Sequence, residues 1–196
     1  EETVEMFAQN GFLLSSEEQK LLVRNTDGWV AAIYLTLLKY AEDSIVGDVQ
    51  DITRLIKAAV YDKFDRETQQ ILLRLSLLES FTLDGAVYVT GEKKVGKLIR
   101  KMNANNCFIR YDNINGTYSF HAILRAMLKE IFTVTDMDKA ALYSRCGDWC
   151  AQCAKYIEAV DFYYRAECYD QILDIFELPG AAEFIDKAPH IIVSAF

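Results

Sequence analysis

Histidine and proline are scarce in this sequence, two of each in 196 residues. His121 and His190 cannot supply a His-rich metal spacing. No Ser/His/Asp set or paired-carboxylate motif accompanies them, so acid–base catalysis has little to work with and no enzyme is expected. No run of about eighteen apolar residues occurs, which leaves nothing of the length needed to span a bilayer as a helix. The start, Glu1-Glu2-Thr3-Val4-Glu5-Met6-Phe7, is acidic and helix-like, without the basic and apolar regions of a signal peptide. It also has no initiator Met, and the expectation is an internal piece of a longer protein. Positive charge is short as well: 21 Lys and Arg against 29 Asp and Glu give a net charge of −8. That balance works against a general nucleic-acid surface, since phosphate affinity comes from Lys and Arg. The five cysteines are an odd number, and three crowd between Cys146 and Cys153. This is no secreted disulfide framework, and a reducing cytoplasm is the expected setting.

What is present is globular composition, 52% hydrophobic and 26% charged, with room for more than one small core. Ser15-Ser16-Glu17-Glu18-Gln19 reads as a capping box opening a helix to about Arg24. Asn25-Thr26-Asp27-Gly28 breaks the pattern and is expected to cap a helix from about Trp29 to Tyr40. Glu42 to Asp51 reads as a loop, and Ile52, Leu55, Ile56, Ala59, Val60 and Phe64 as the next helix. Ile71, Leu72, Leu75 and Leu78 make one further stripe, and Val95, Leu98, Ile99 and Met102 another, with a short element over Leu83–Val89 between them. Alternation over Cys107–Tyr111 and Thr117–Phe120, around Asp112-Asn113-Ile114-Asn115-Gly116, predicts a hairpin. A helix carrying Ile123, Leu124, Met127, Leu128 and Ile131 follows. Three helices, a hairpin and a closing helix are the order of a winged helix. Beyond it, Tyr156-x-Glu158-Ala159-x3-Tyr163-x2-Ala166 is a partial match to a tetratricopeptide helix pair, and Leu178-Pro179-Gly180 is expected to end the helix after it.

Three blocks, in order, resemble the MalT-like, LuxR-type regulators, a branch of the signal-transducing ATPases. They are Arg24-Asn25-Thr26-Asp27-Gly28-Trp29-Val30-Ala31-Ala32, then Thr68-Gln69-Gln70-Ile71-Leu72-Leu73-Arg74-Leu75-Ser76-Leu77-Leu78, then Asn106-Cys107-Phe108-Ile109 leading through Tyr118-Ser119-Phe120-His121 to Leu124. The resemblance implies a helical lid over 1–60, a winged helix over 61–134 and the start of a helical sensor region over 135–196. It implies a nucleotide-binding core upstream, since no G-x4-G-K-[ST] loop occurs here, and a DNA-binding domain far downstream. It further implies ATP and ADP as cofactors of the whole protein and self-association on activation. ADP would hold the closed state, and inducer with ATP would open it.

The resemblance places His121 against the β-phosphate of ADP, and Gly28 and Val30 in the lid block beside the adenine. Ala122 stands where the strict motif has Asp, and Val30 where many relatives have Pro. Read from the residues alone, His121 is a packed side chain between hairpin and helix, and Gly28-Trp29-Val30 a helix start with a buried Trp. Cys146, Cys150 and Cys153 fit the C-x3-C-x2-C spacing of an iron–sulfur enzyme, or one core-facing helix stripe. Lys93, Lys94, Lys97, Arg100 and Lys101 stud the third winged-helix element. They are a candidate DNA-reading face, or a solvated one. The reading that results is a mainly helical chain with one small hairpin, relaying nucleotide and inducer state. A stand-alone DNA-binding module is the alternative.

Overall fold

The computed structural model describes residues 2–26, 28–44, 46, 48–104 and 109–178, with the side chains of Glu2, Thr3, Val4 and Val49 left aside. The fold is mainly helical with one small antiparallel sheet. Helix α1 (Glu2–Gln9) is followed by α2 (Ser16–Thr26), α3 (Val30–Asp43) and α4 (Val49–Ala59). A turn of 3-10 helix, Tyr61–Lys63, leads to α5 (Arg66–Leu75), α6 (Leu83–Thr90) and α7 (Val95–Ala104). Strands β1 (Ile109–Asp112) and β2 (Thr117–Phe120) precede α8 (Ala122–Val134), and α9 (Lys139–Gln152), α10 (Tyr156–Arg165) and α11 (Tyr169–Phe176) complete the described chain.

Five of the eleven described α-helices start on a short polar side chain that accepts from an otherwise unpaired amide. The capping box at α2 closes in both directions: Ser15 N donates to Glu18 Oε2 at 2.7 Å, and Glu18 N to Ser15 Oγ at 3.3 Å. Asp48 accepts from Asp51 N, Asp65 from Thr68 N, Thr82 from Gly85 N and Asp138 from Ala141 N. The expected cap on α3 is different. Trp29 is the N-cap residue and makes no side-chain cap bond, while Thr26 closes α2 instead, its hydroxyl donating to Leu22 O at 2.8 Å. The loop expected over 42–51 is shorter than that, because α3 continues to Asp43 and Asp48 starts α4.

The hairpin pairs Ile109 with Phe120 and Asp112 with Thr117. Its turn is held by Asp112, whose carboxylate accepts from the amides of Ile114 and Asn115, and it closes on Gly116 at φ +64. The expected strand start at Cys107 and Phe108 lies outside the described residues. Phe81, just before α6, exchanges two backbone bonds with Tyr118 at 2.9 and 2.8 Å, adding a one-residue third strand. Tyr118 and Phe120 point inward, so the hairpin lies on α5–α8.

One large core runs from Trp29 and Ala32 of α3 through α4–α8 and on into Cys146, Ala159, Phe162 and Ile172. A second, smaller cluster gathers Phe7, Leu14, Leu22, Ile33, Leu37, Tyr40 and Val46. Helix α3 therefore faces both. The close approach of α9 and α10 depends on Gly147, where a Cβ would sit 2.6 Å from the Tyr163 ring, and on the fully buried Ala159. Gly85 plays the same part between α6 and α9, against the Trp149 indole. None of the described helices is long and apolar enough to cross a membrane.

Candidate functional site

Two of the three sequence blocks meet in space. After α2 ends, Gly28 takes φ +68, a left-handed turn that costs other residues about 1–2 kcal/mol. The next residue, Trp29, enters α3 from extended backbone at φ −74, ψ 111, with its N–H donating to Thr26 O at 2.9 Å. That reversal drives the indole inward, where it is only 2% exposed. The indole lies flat on the imidazole of His121, with ring centroids 5.1 Å apart and planes 14° from parallel. His121 is the N-cap residue of α8: its carbonyl accepts from Arg125 N at 2.9 Å, and its ring makes no cap bond to the helix. The imidazole is thus spent on the indole face and remains partly exposed.

Arg125 locks this end of α8 to α5. Its guanidinium donates to Ser76 O at 3.0 Å and to Leu77 O at 3.2 Å, satisfying carbonyls at the end of α5. The position of His121 is therefore fixed by its neighbours on three elements: α3 through Trp29, β2 through the chain, and α5 through Arg125.

The other residues of the expected nucleotide contact are less enclosed. Gly28 is exposed, with open space around its Cα, and Val30 is 68% exposed on the outer face of α3. Asp27 lies outside the described residues, as does His190. What the junction offers chemically is an imidazole edge, an apolar side chain and the first amides of α8, which point their N–H groups toward any bound anion. Sequence reasoning treated Trp29 only as a buried residue. Its contact with His121 bridges positions about ninety residues apart, and no local pattern could have disclosed it.

The basic residues form a surface feature. Lys97, Arg100 and Lys101 lie on α7 and are exposed, while Val95, Ile99 and Met102 bury the opposite face. Lys93 and Lys94 are also exposed but precede the helix, in the turn after Gly91, so they do not belong to it. The three cysteines part company. Cys146 and Cys150 are buried on the inner face of α9, and burial pushes both thiols up to about 12. Cys153 caps the helix end and is exposed, so the expected single stripe of three holds for two. Among the described residues, no group of three or more His, Cys, Asp or Glu is placed to hold a metal ion.

Helices α5–α7, the hairpin and α8 in this order define a winged-helix protein. Residues 57–140 match the family model of the MalT winged helix domain. No curated protein matches the chain.

Proposed function

We propose that this chain is the regulatory middle of a nucleotide-switched, LuxR-type transcriptional regulator. In it, 1–60 is the helical lid, 61–134 the winged helix and 135–196 the start of the helical sensor region. Its partners are an upstream nucleotide-binding domain, the downstream sensor repeats and, through a separate domain, DNA. ATP and ADP are cofactors of the whole protein, which works in the cytoplasm and self-associates when active. The observation that carries this reading is the Trp29–His121 stack, because it joins the lid block to the winged-helix block at one point. A phosphate on His121 and an adenine near Gly28 and Val30 would bind both blocks at once and hold them closed. The match of 57–140 to a regulator's winged helix adds independent support.

The test uses the full-length protein with His121→Ala. A hydrogen bond to a charged group contributes about 1.5–3 kcal/mol, so ADP affinity should fall by roughly one to two orders of magnitude. Reporter activity without inducer should rise in step, because the closed state alone loses the contact. Unchanged ADP affinity with background activity, alongside a lower melting temperature, would show that His121 only packs on Trp29. The exposed cations of α7 favour a second reading, a stand-alone winged-helix DNA-binding module. The net charge of −8 stands against it.

A further inference from the structure

Where the winged helix meets the α9–α10 pair, a groove of about 630 Å³ opens. Small-molecule sites commonly measure about 300–1,000 Å³. One wall is an aromatic row: Phe132 meets Tyr143 edge-on at 5.9 Å, and Tyr143 lies at 6.3 Å and 27° to Phe162. Tyr164 lines the same groove with part of its ring in solvent. Four cations line it: Arg125 and Lys129 from successive turns of α8, Lys155 at the start of α10 and Arg165 at its end.

These cations are unequally matched. Arg125 is committed to the carbonyls of Ser76 and Leu77, and Arg165 to Asp161 at 3.0 Å. Lys129 makes none of the described hydrogen bonds or ion pairs. Lys129 keeps much of its surface in solvent, but partial burial at the groove wall pushes its ammonium pKa down, and the guanidiniums of Arg125 and Arg165 push the same way, against Glu79 and Asp161. Asp161 is already held by Arg165, while Glu79 stands 3.6 Å from Arg125 with 79% of its side chain exposed. The remaining acid of the groove, Glu158, precedes Arg165 by seven residues, about 10 Å along a helix, and has Lys155 nearby in sequence. One end of the groove is therefore cationic and incompletely neutralised, beside an aromatic wall in which Phe132 and Phe162 are buried and Tyr143 and Tyr164 carry the accessible ring area. An anion placed there gains a charge-assisted bond with little competition.

We propose that this groove binds a small organic anion, its acidic head on Lys129 and its aromatic body along Tyr143 and Tyr164. Such a ligand touches α8 and α10 together, so it ties the winged helix to the helices that follow it. The site is separate from the Trp29–His121 junction and does not depend on nucleotide binding there.

The test titrates the 196-residue chain with 8-anilinonaphthalene-1-sulfonate and, in parallel, with uncharged N-phenyl-1-naphthylamine, reading fluorescence. The sulfonate should saturate a single site. Lys129→Gln should weaken the sulfonate about tenfold, while the neutral amine stays within about twofold. Lys129→Arg should retain sulfonate binding, and Tyr164→Ala should weaken both probes. Lys129 and Tyr164 are exposed residues, so circular dichroism should show all three variants folded. Sulfonate affinity unchanged in Lys129→Gln, fluorescence that never saturates, or both probes indifferent to Tyr164→Ala would each overturn the proposal.

Discussion

The middle of the chain and its first helices bury apolar surface on very different terms. From α5 to α8 the inward residues of every element feed one core, and among the described residues the exposed large apolar side chains there are Tyr111, Ile114 and Val134. Helices α1–α3 share a cluster of seven buried residues while leaving Leu13, Val23, Val30, Tyr34 and Leu38 exposed. Val30, Tyr34 and Leu38 recur every fourth residue and make one continuous stripe along α3. That helix thus has three apolar faces, turned to the large core, to the small cluster and to solvent. A winged helix at the centre of a core it shares with α3, α4 and α9–α11 can serve as a fixed frame. The uncovered face of α3 is suited to changing its neighbours, as the lid role we propose for α1–α3 requires.

The largest effect that tests this contrast is cavity formation in each core. Leu128 and Leu22 are both fully buried, one in each cluster. Leu128→Ala should cost about 2–5 kcal/mol, as buried Leu→Ala changes commonly do. Native-state hydrogen exchange should show lost protection spread together over α5, α8 and α9. Leu22→Ala should raise exchange in α1–α3 and leave α8 and α9 as they were. Identical exchange patterns would mean one cooperative unit, and the contrast between frame and lid would fail.

The intermediate effect concerns the packing of α9 on α10, the two helices that follow the winged helix. Gly147→Ala puts a methyl group 2.6 Å from the Tyr163 ring. That ring cannot simply turn away, because its hydroxyl donates to Asp148 Oδ1 at 2.9 Å, and Asp148 also accepts from Tyr88 of α6 at 3.4 Å. Overpacking of this kind costs about 1–3 kcal/mol. The variant should melt earlier and lose protection first in α9 and α10. An unchanged melting curve would mean that the two helices part readily, and that the frame ends before α9.

The elements were readable because their causes are local. The Ser15–Glu18 box, the stripes of α5 and α7 and the Gly116 hairpin each follow from residues within a few positions of one another. Boundaries were less readable where caps compete: Asn25 and Thr26 are buried parts of α2 rather than a cap on α3. The cysteine spacing was misleading in one position, because α9 ends at Gln152 and turns Cys153 outward. The site was legible only in pieces. Both blocks carry their own residues, but the stack of Trp29 on His121 depends on how α4, packed on both α3 and α8, brings the starts of those two helices together. The groove at Lys129 depends likewise on Tyr143 and Phe162, which no motif singles out.

The smallest effect compares one helix cap from each region. Asp65 caps α5 in the frame, and Glu18 closes the box on α2 in the proposed lid. The Asp65 carboxyl is held below its ordinary value by the Thr68 amide first and by the Thr68 hydroxyl next. Glu18 is lowered by the Ser15 side chain first and the Ser15 backbone next. A depressed folded pKa means stability that is present above the unfolded value and is lost as pH falls through the folded one. Asp65→Asn keeps a cap acceptor but cannot titrate, and Glu18→Gln does the same for the lid. Each variant should melt slightly below the parent near neutral pH and converge with it in acid, over roughly pH 5 to pH 2. Asp112 is also held low, by Asn115, but it is common to all three proteins and cancels in the differences. Far-ultraviolet melts should show the Asp65→Asn change across the whole transition, since α5 belongs to the large core. The Glu18→Gln change should appear in Trp-independent signals of α1–α3 and leave the main transition in place. If Glu18→Gln moves the main transition as far as Asp65→Asn does, the lid unfolds with the frame, and its cap acts on both alike.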